Sequence, residues 1–135
     1  MEKSLKRKES QIASVNNLDN PSTTLAAIQK TVNDWITQFE EGYWPPLSML
    51  AAITEEVGEL AREINHREGY KKKREGNEAD LGLELADVMF SLVCIANYYQ
   101  VDLDKSFEAV MAKYTKRDMD RWTKKKDSDQ KILEP

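Results

Sequence analysis

The chain has 135 residues and a mass of 15.6 kDa, which predicts one domain rather than two. Its 20 Lys and Arg residues against 24 Asp and Glu residues give a net charge of -4, and this balance argues against a domain that binds nucleic acid through bulk positive charge. Only five Gly and four Pro residues are present, so a many-stranded β sandwich or barrel is not expected.

Several features predict a soluble cytoplasmic protein without a membrane partner. The single cysteine, Cys94, excludes an internal disulfide and a cysteine-based metal cluster. The first ten residues, MEKSLKRKES, lack the apolar core of a signal peptide. The longest apolar stretch, residues 85–99, contains Asp87 and is shorter than the roughly 18 residues that a membrane span needs.

The chain order begins with a polar segment without hydrophobic periodicity, residues 1–20, which predicts a flexible N-terminal arm. The helical domain is predicted over residues 21–122, and residues 123–135 are predicted to be a polar C-terminal tail. The first helix follows an N-cap among residues 22–24 and ends near Glu41, with Gly42 at its C-terminus. Its apolar side is Leu25, Ile28, Val32, Trp35, Ile36 and Phe39.

Three further helices are predicted. The second begins near Leu47 and stops before Gly69, the third covers residues 81–100 after a charged loop, and the fourth is capped by Asp102 or Asp104. The residues predicted to face the core are Leu50, Ile53, Val57, Leu60 and Ile64 on the second helix, and Phe107, Val110, Met111 and Tyr114 on the fourth. Four helices with short connections predict an all-α, antiparallel four-helix-bundle-like fold.

The third predicted helix is apolar on nearly all sides from residue 85 to residue 99, which is typical of a buried helix. Asp87 is the only charge in this stretch, and Glu84 lies one turn before it. A carboxylate removed from water is costly unless it is paired or bound to a metal. Because this helix needs neighbours on every side, we expect it to pack against a second copy of the chain.

Acidic pairs on two neighbouring helices predict a metal site. Glu56 and Glu59 lie on one flank of the second helix, and Glu55 faces water or a partner. Together with Glu84 and Asp87, they place up to four carboxylates around one point, which suits Mg²⁺ or Mn²⁺. Two alternatives are a solvated face on the second helix and a salt bridge from Asp87 to a buried arginine.

A basic stripe on the fourth helix is the natural complement of such a cluster. Lys113, Arg117 and Arg121 recur every four residues. Cations on one side and a metal on the other are what a polyphosphate needs. The alternative is a helix C-terminus in which basic residues are favoured by the helix dipole.

These residues carry a family resemblance. The pattern is Glu55-Glu56-x-x-Glu59, Glu84-x-x-Asp87 and Lys113-x-x-x-Arg117-Asp118. With the segments FEEGYWPPLSMLAAITEEVGELAREINHREG, LADVMFSLVCIAN and KYTKRDMDRW, it resembles the MazG-like nucleotide pyrophosphohydrolases of the all-α NTP pyrophosphatase superfamily. The likeness is to the short, single-domain YpjD-type branch and covers about residues 24–122.

The resemblance implies Mg²⁺-dependent hydrolysis of a nucleoside triphosphate to the monophosphate and pyrophosphate, which would clear non-standard or surplus nucleotides. It implies metal ligands at Glu56, Glu59, Glu84 and Asp87, with Mn²⁺ as a substitute, and a supporting or water-activating role for Glu55. Either Glu55 or Glu59 is expected to accept the proton from water. Lys113 and Arg117 are expected to hold the pyrophosphate. The family also implies a homodimer or homotetramer.

Four other residues are candidates for substrate binding. Three of them, Phe39, Tyr43 and Trp44, precede the acidic helix and are expected either to stack on the base or to pack in the core and turn. Asn97 is expected either to bind the nucleotide or to join two helices. The rival to an enzyme is a helical interaction module with a structural divalent-metal site, and pyrophosphate release distinguishes the two.

Overall fold

The computed structural model describes residues 23–72 and 80–124. Within these ranges there are four helices and no strands: α1 (Leu25–Ile36), α2 (Pro46–Arg67), α3 (Leu81–Tyr98) and α4 (Leu103–Asp118). The predicted all-α fold and the number of helices are confirmed. The predicted N-terminal arm, most of the charged loop and residues 125–135 of the predicted tail lie outside the described residues.

The chain divides into two compact units. The first, Thr24–Phe107, contains α1, α2, α3 and the start of α4. Of the second unit, the described residues are Thr23 and residues 108–124, which include the rest of α4. The acidic pattern therefore belongs to the first unit, and the basic stripe belongs to the second.

Helix α1 begins as predicted and ends earlier. The Thr24 side chain accepts a hydrogen bond from the backbone N–H of Ala27 at 3.0 Å, which makes it the N-cap. The helix ends at Ile36 rather than near Glu41: the N–H of Thr37 makes the last helical hydrogen bond, to the carbonyl of Asn33, and the chain then turns, with the N–H of Phe39 bonded to the carbonyl of Ile36. Gly42, with φ 57°, lies in the connection to α2 and does not cap α1.

The other helix ends follow from local sequence. Pro46 opens α2 at a position where a missing N–H costs nothing. Gly69, with φ 80°, closes it, and the N–H of Tyr70 reaches back to the carbonyl of Asn65, as in a Schellman motif. Asp80 caps α3 by accepting from the N–H of Gly82 at 2.7 Å.

Of the two caps proposed for α4, Asp102 has this role. Its carboxylate accepts from the backbone N–H of Lys105 at 3.0 Å. That hydrogen bond is the main reason that the pKa of the Asp102 carboxyl lies below its ordinary value of 3.8. Asp104 instead accepts from the N–H groups of Leu25 and Ala26, at 3.0 and 3.2 Å, and so joins the start of α4 to the start of α1.

The core of the first unit lies where α3 packs against α1 and α2. Four buried residues form it, namely Val32, Met49, Val93 and Cys94. Partly buried apolar residues surround them, including Ile28 and Ile36 of α1, as predicted. The core is small because each helix contributes only one or two of these buried side chains.

The predicted core side of α2 is only partly confirmed. Leu50, Val57 and Ile64 are 55%, 48% and 46% exposed and Ile53 and Leu60 are partly buried, whereas Met49 and Glu63 are buried. The Glu63 carboxylate is covered beside His66 and Arg67, whose ring and guanidinium nitrogens lie 3.7 Å from it. Periodicity locates an apolar stripe on a helix, but it does not tell which surface covers that stripe.

The same correction applies to α3 and α4. Helix α3 is not buried on all sides, since only Val93, Cys94 and Ala96 are buried and Asp87 is exposed. The buried side is the one with Val93 and Ala96, while the exposed apolar residues of α3 include Leu83, Leu85, Met89 and Leu92. Helix α4 has no buried residue, and its predicted core residues Phe107, Val110, Met111 and Tyr114 are exposed.

One described helix meets the length and composition test for a membrane span. It is α3, with 18 residues and a mean hydropathy of 1.4. The apolar stretch identified in the sequence, residues 85–99, is shorter because it does not include the first turn of α3. A core helix of a soluble protein passes the same test, so this finding is weak evidence for a membrane.

Candidate functional site

Three carboxylates from two helices converge in the first unit. Glu56 of α2 and Glu84 and Asp87 of α3 each offer an oxygen, and these oxygens all lie within 4.8 Å of one another. Because α2 and α3 pack together, acids on their adjoining sides are brought to one place. Three carboxylate oxygens are hard ligands of the kind that Mg²⁺ and Mn²⁺ prefer, so the cluster fits a divalent metal site.

The remaining predicted acids lie outside this cluster. Glu59, one turn after Glu56, forms an ion pair with Arg62 of the same helix. Glu55 is exposed, as predicted. The metal-ligand role of Glu59 and the supporting role of Glu55 stay predictions.

A cavity of about 450 Å³ adjoins the acidic cluster, and Glu56 and Asp87 line it. Its walls come from α1, from the connection between α1 and α2, and from both acidic helices. Five aromatic side chains line it: Trp35, Phe39, Tyr43, Trp44 and Phe90. Flat apolar walls of this kind accept a flat ring by stacking.

The aromatic side chains contact one another edge to face. The ring of Trp35 lies 5.2 Å from that of Phe39 and 5.8 Å from that of Phe90. Trp35, Phe39 and Trp44 are each about half exposed. Phe39 and Trp44 lie outside the buried core and line the cavity, and Phe39 also packs against Trp35. Stacking of these two rings on a base stays a prediction.

Cys94 forms part of the cavity wall beside Ser91. Burial raises the pKa of the Cys94 thiol. A thiol whose pKa is raised stays protonated and is a poor nucleophile near neutral pH. Cys94 is therefore a small buried side chain of the core, and covalent catalysis through it is not expected.

Asn97 does not line this cavity. Its amide nitrogen donates to the carbonyl of Gln29 at 2.9 Å and to the hydroxyl of Tyr43 at 3.0 Å, and its oxygen accepts from the Gln29 side chain at 2.9 Å. Both N–H groups of Asn97 are used within the protein. The structure thus favours the second alternative for Asn97, a contact between elements, and a direct role in binding the nucleotide stays a prediction.

The basic residues of α4 belong to the second unit and are described by themselves. Lys113 and Arg117 are exposed and lie over the ring of Tyr114, at 5.1 and 4.9 Å from its centre. The Arg117 guanidinium also donates two hydrogen bonds to Asp118, which raises the pKa of the guanidinium. These contacts hold both cations on one side of α4.

Sequence reasoning missed Trp35 and Phe90 as cavity residues. Trp35 was counted with the core stripe of the first helix, and Phe90 was one apolar residue among many in the third. The available signal was the density of aromatic residues around the first connection, since Trp35, Phe39, Tyr43 and Trp44 fall within ten residues. A connection so rich in exposed aromatic rings is typical of a binding surface.

Comparison with known proteins gives a consistent result. A family model described as the MazG nucleotide pyrophosphohydrolase domain matches residues 45–122. The YpjD protein of Bacillus subtilis (strain 168) is 48% identical over 105 residues, which cover 77% of this chain and 95% of YpjD.

Two solved structures are also similar. One is that of the candidate pyrophosphatase YpjD from Bacillus subtilis, with 45% identity, a TM-score of 0.63 and coverage of 70% of this chain and 98% of that chain. The other is a Bacillus-conserved MazG protein, a nucleotide pyrophosphohydrolase, with 39% identity, a TM-score of 0.62 and coverage of 80% and 99%.

Proposed function

The chain belongs to the MazG family of nucleotide pyrophosphohydrolases, and from this premise we propose that it hydrolyses a nucleoside triphosphate to the monophosphate and pyrophosphate. The proposed substrates are both ribo- and deoxyribonucleoside triphosphates. The proposed role of the enzyme is to remove non-standard or surplus nucleotides. The family makes the chain a hydrolase that acts on nucleotides. The rival, a non-enzymatic helical module, does not fit this membership.

The observation that carries the proposal is the adjacency of the acidic cluster and the aromatic cavity. Glu56 and Asp87 belong to both. A nucleotide that stacks its base among the aromatic rings would direct its phosphates towards the carboxylates. Phosphates and carboxylates repel each other, so this arrangement is useful only if a divalent cation is bound between them.

We propose Mg²⁺ as the physiological cation, with Mn²⁺ as a substitute. Glu56, Glu84 and Asp87 would hold it, and Glu59 would join them after leaving Arg62. When bound, the cation supplies charge neutralisation at the phosphates and lowers the pKa of a coordinated water. Glu55 or Glu59 would accept the proton of the attacking water.

The side chains of the cavity and of α4 have separate tasks in this proposal. Phe39 and Trp44 would stack on the base, together with the other aromatic rings of the cavity. Lys113 and Arg117 would meet the charge of the departing pyrophosphate. Both side chains are exposed beside Tyr114, which supports access of a phosphate to the ammonium and the guanidinium.

The proposal includes an oligomer, either a homodimer or a homotetramer, in which a second copy covers the exposed apolar sides of α2 and α3 and completes a four-helix bundle. The exposed stripes on these helices support it. We further propose a cytoplasmic location and neither nucleic acid nor membrane as partner, in keeping with the net charge of -4.

The test is pyrophosphate release from a panel of ribo- and deoxyribonucleoside triphosphates, each measured with Mg²⁺ and with EDTA. We expect monophosphate and pyrophosphate as the only products, and no release with EDTA. Release of orthophosphate instead would show cleavage at the γ position and would contradict the proposal. Absence of turnover with every nucleotide would restore the non-enzymatic alternative.

A further inference from the structure

A network of hydrogen bonds surrounds Tyr43 on the side of its hydroxyl group. The hydroxyl donates to the side-chain oxygen of Asn33 at 3.0 Å and accepts from the amide of Asn97 at 3.0 Å. Asn33 belongs to α1, Tyr43 to the connection between α1 and α2, and Asn97 to α3. The phenol is thus held from two helices at once.

The side-chain amides of Asn97 and Gln29, next to Tyr43, are also fixed by hydrogen bonds. Asn97 exchanges hydrogen bonds with Gln29 in both directions, through the Gln29 backbone carbonyl and side chain, each at 2.9 Å. The Gln29 side chain also donates to the carbonyl of Val101 at 2.8 Å and accepts from the N–H of Leu103 at 3.1 Å. Asn97 therefore has a fixed orientation, and its N–H groups have no freedom to turn towards a ligand.

Tyr43 lies at the boundary between this network and the aromatic cavity. It lines the cavity, whereas Asn33, Asn97 and Gln29 line a separate open groove. Tyr43 also packs against the buried core, and burial raises the pKa of its hydroxyl. The phenol therefore stays protonated near neutral pH and keeps the proton that it donates to Asn33.

We infer that Asn97 is a positioning residue for nucleoside binding that acts through Tyr43, without touching the substrate. This inference deepens the proposed function and rests on it. The Asn97 amide and the Asn33 oxygen fix the Tyr43 ring, and the ring fixes one wall of the cavity in which the base is bound. The connection that carries Tyr43 also carries Phe39 and Trp44, so its freedom determines how well three aromatic walls are aligned.

Loss of the hydrogen bond from Asn97 to Tyr43 should change KM but neither kcat nor the metal affinity. Loosening the Tyr43 ring lowers the affinity for the nucleoside part of the substrate, which raises KM. The acidic cluster is formed by α2 and α3 and does not involve this network, so kcat and metal affinity are retained. A hydrogen bond of this type corresponds to about a three- to tenfold change in KM.

The experiment is a double-mutant cycle with Asn97→Ala and Tyr43→Phe, in the full chain with Mg²⁺. We expect each single variant to raise KM by about three- to tenfold with kcat within a factor of about two. If Asn97 acts through Tyr43, the double variant has the KM of Tyr43→Phe alone, because the interaction is already absent. If the factors by which the two single variants raise KM multiplied in the double variant, Asn97 would make an independent contact, and the inference would be overturned.

Matched variants exclude a general loss of structure. Tyr98→Phe removes a hydroxyl from the same region of α3 and should leave KM unchanged. Asn33 lies at an exposed position of α1 and accepts the hydrogen bond from the Tyr43 hydroxyl. The effect of Asn33→Ala on KM should likewise be absent in the Tyr43→Phe background. If Asn97→Ala does not fold, Asn97→Asp replaces it, since it retains the shape but has no N–H to donate. Titration with Mn²⁺ should give the same affinity in all variants.

A binding measurement distinguishes the failure of this inference from failure of the proposed function. Titration with nucleoside monophosphates, followed by tryptophan fluorescence in a Trp122→Phe background in which only Trp35 and Trp44 emit, reports on the cavity without turnover. A wild-type protein that binds nucleotide but hydrolyses none contradicts the proposed function alone. A wild-type protein that binds no nucleotide, or a Tyr43→Phe variant with unchanged affinity and KM, overturns the inference.

Discussion

At the scale of single residues, the acidic cluster has an unfavourable charge arrangement until a cation is bound. Three carboxylate oxygens within 4.8 Å of one another repel by about 1 kcal/mol per pair even when screened by bulk water. Asp87 is exposed, so it pays no large desolvation cost, and its repulsion is moderated by solvent. A bound cation attracts all three carboxylates and so makes the electrostatic energy of the cluster favourable.

We therefore expect Asp87→Asn to abolish turnover and to weaken Mn²⁺ binding, while slightly raising the melting temperature of the metal-free protein. Loss of one negative charge removes a metal ligand and at the same time relieves repulsion on Glu56 and Glu84. Turnover, Mn²⁺ titration and thermal unfolding in EDTA measure the three effects. The control is Asp34→Asn, which removes an exposed acid from α1, and unchanged activity in the Asp87 variant would contradict the metal-site assignment.

Lys113 permits a test of substrate charge that is independent of the metal. We expect Lys113→Ala to lower kcat/KM by about 10- to 100-fold, the range of a hydrogen bond to a charged group, with unchanged Mn²⁺ affinity. Lys116→Ala removes the same charge from the same helix and serves as the control. If metal affinity fell together with kcat/KM, Lys113 would belong to the support of the metal site.

The sequence predicted much of the site at this scale, but not all of it. Glu56, Glu84 and Asp87 were identified from their spacing, because acids three residues apart on a helix face the same way. The pairing of Glu59 with Arg62 depends on rotamers, which spacing does not determine. The engagement of Asn97 with Tyr43 depends on which helices are neighbours, and this is a property of the tertiary structure.

At the scale of elements, the sequence predicted three helix ends, at Thr24, Gly69 and Asp102, where local chemistry requires a cap or a left-handed residue. It placed the end of α1 too late, because the Gly42 that was expected to close this helix lies in the connection to α2. The sequence does not predict which surface contacts the apolar stripe of α2, because the contact depends on the tertiary packing around the helix. Leu50, Val57 and Ile64 belong to the regular stripe, yet the buried side chains of α2 are Met49 and Glu63.

The cap of α4 gives a prediction of pH dependence. Because the folded-state pKa of Asp102 lies below 3.8, the unfolded chain binds more protons, and the contribution of Asp102 to stability is present above 3.8. It is lost as the pH falls through the lower folded-state value. The difference in unfolding free energy between wild type and Asp102→Ala should therefore stay constant well above pH 3.8 and shrink as the pH falls below it.

Urea unfolding at several pH values measures this difference. Asp102→Asn is the control, since its side-chain oxygen still accepts from the N–H of Lys105 but does not titrate in this range. The difference between Asp102→Asn and Asp102→Ala should stay constant with pH. A difference between wild type and Asp102→Ala that grew on acidification would mean that the charge of Asp102 opposes folding.

At the scale of the whole molecule, many large apolar side chains are exposed within residues 23–72 and 80–124. Large apolar side chains are exposed along α2 and α3, including Leu50, Val57, Leu85 and Leu92. The spacing of seven residues between Leu50 and Val57, and between Leu85 and Leu92, places each pair on one side of its helix. Covering such surface contributes about 25 cal/mol per Å², which makes association favourable once the area is large.

We therefore expect a second copy to cover these stripes around a two-fold axis, with an interface above about 1,000 Å². Light scattering at micromolar concentration should give at least twice 15.6 kDa. Val57→Glu places a charge on the exposed stripe of α2 and should shift the protein towards the monomer, with loss of stability. Ala51→Glu adds the same charge to the same helix on the side of Glu55, away from the stripe, and should leave the mass unchanged. A wild-type particle of 15.6 kDa that still hydrolyses nucleotides would show that one chain holds the complete site and that the exposed stripes have another purpose.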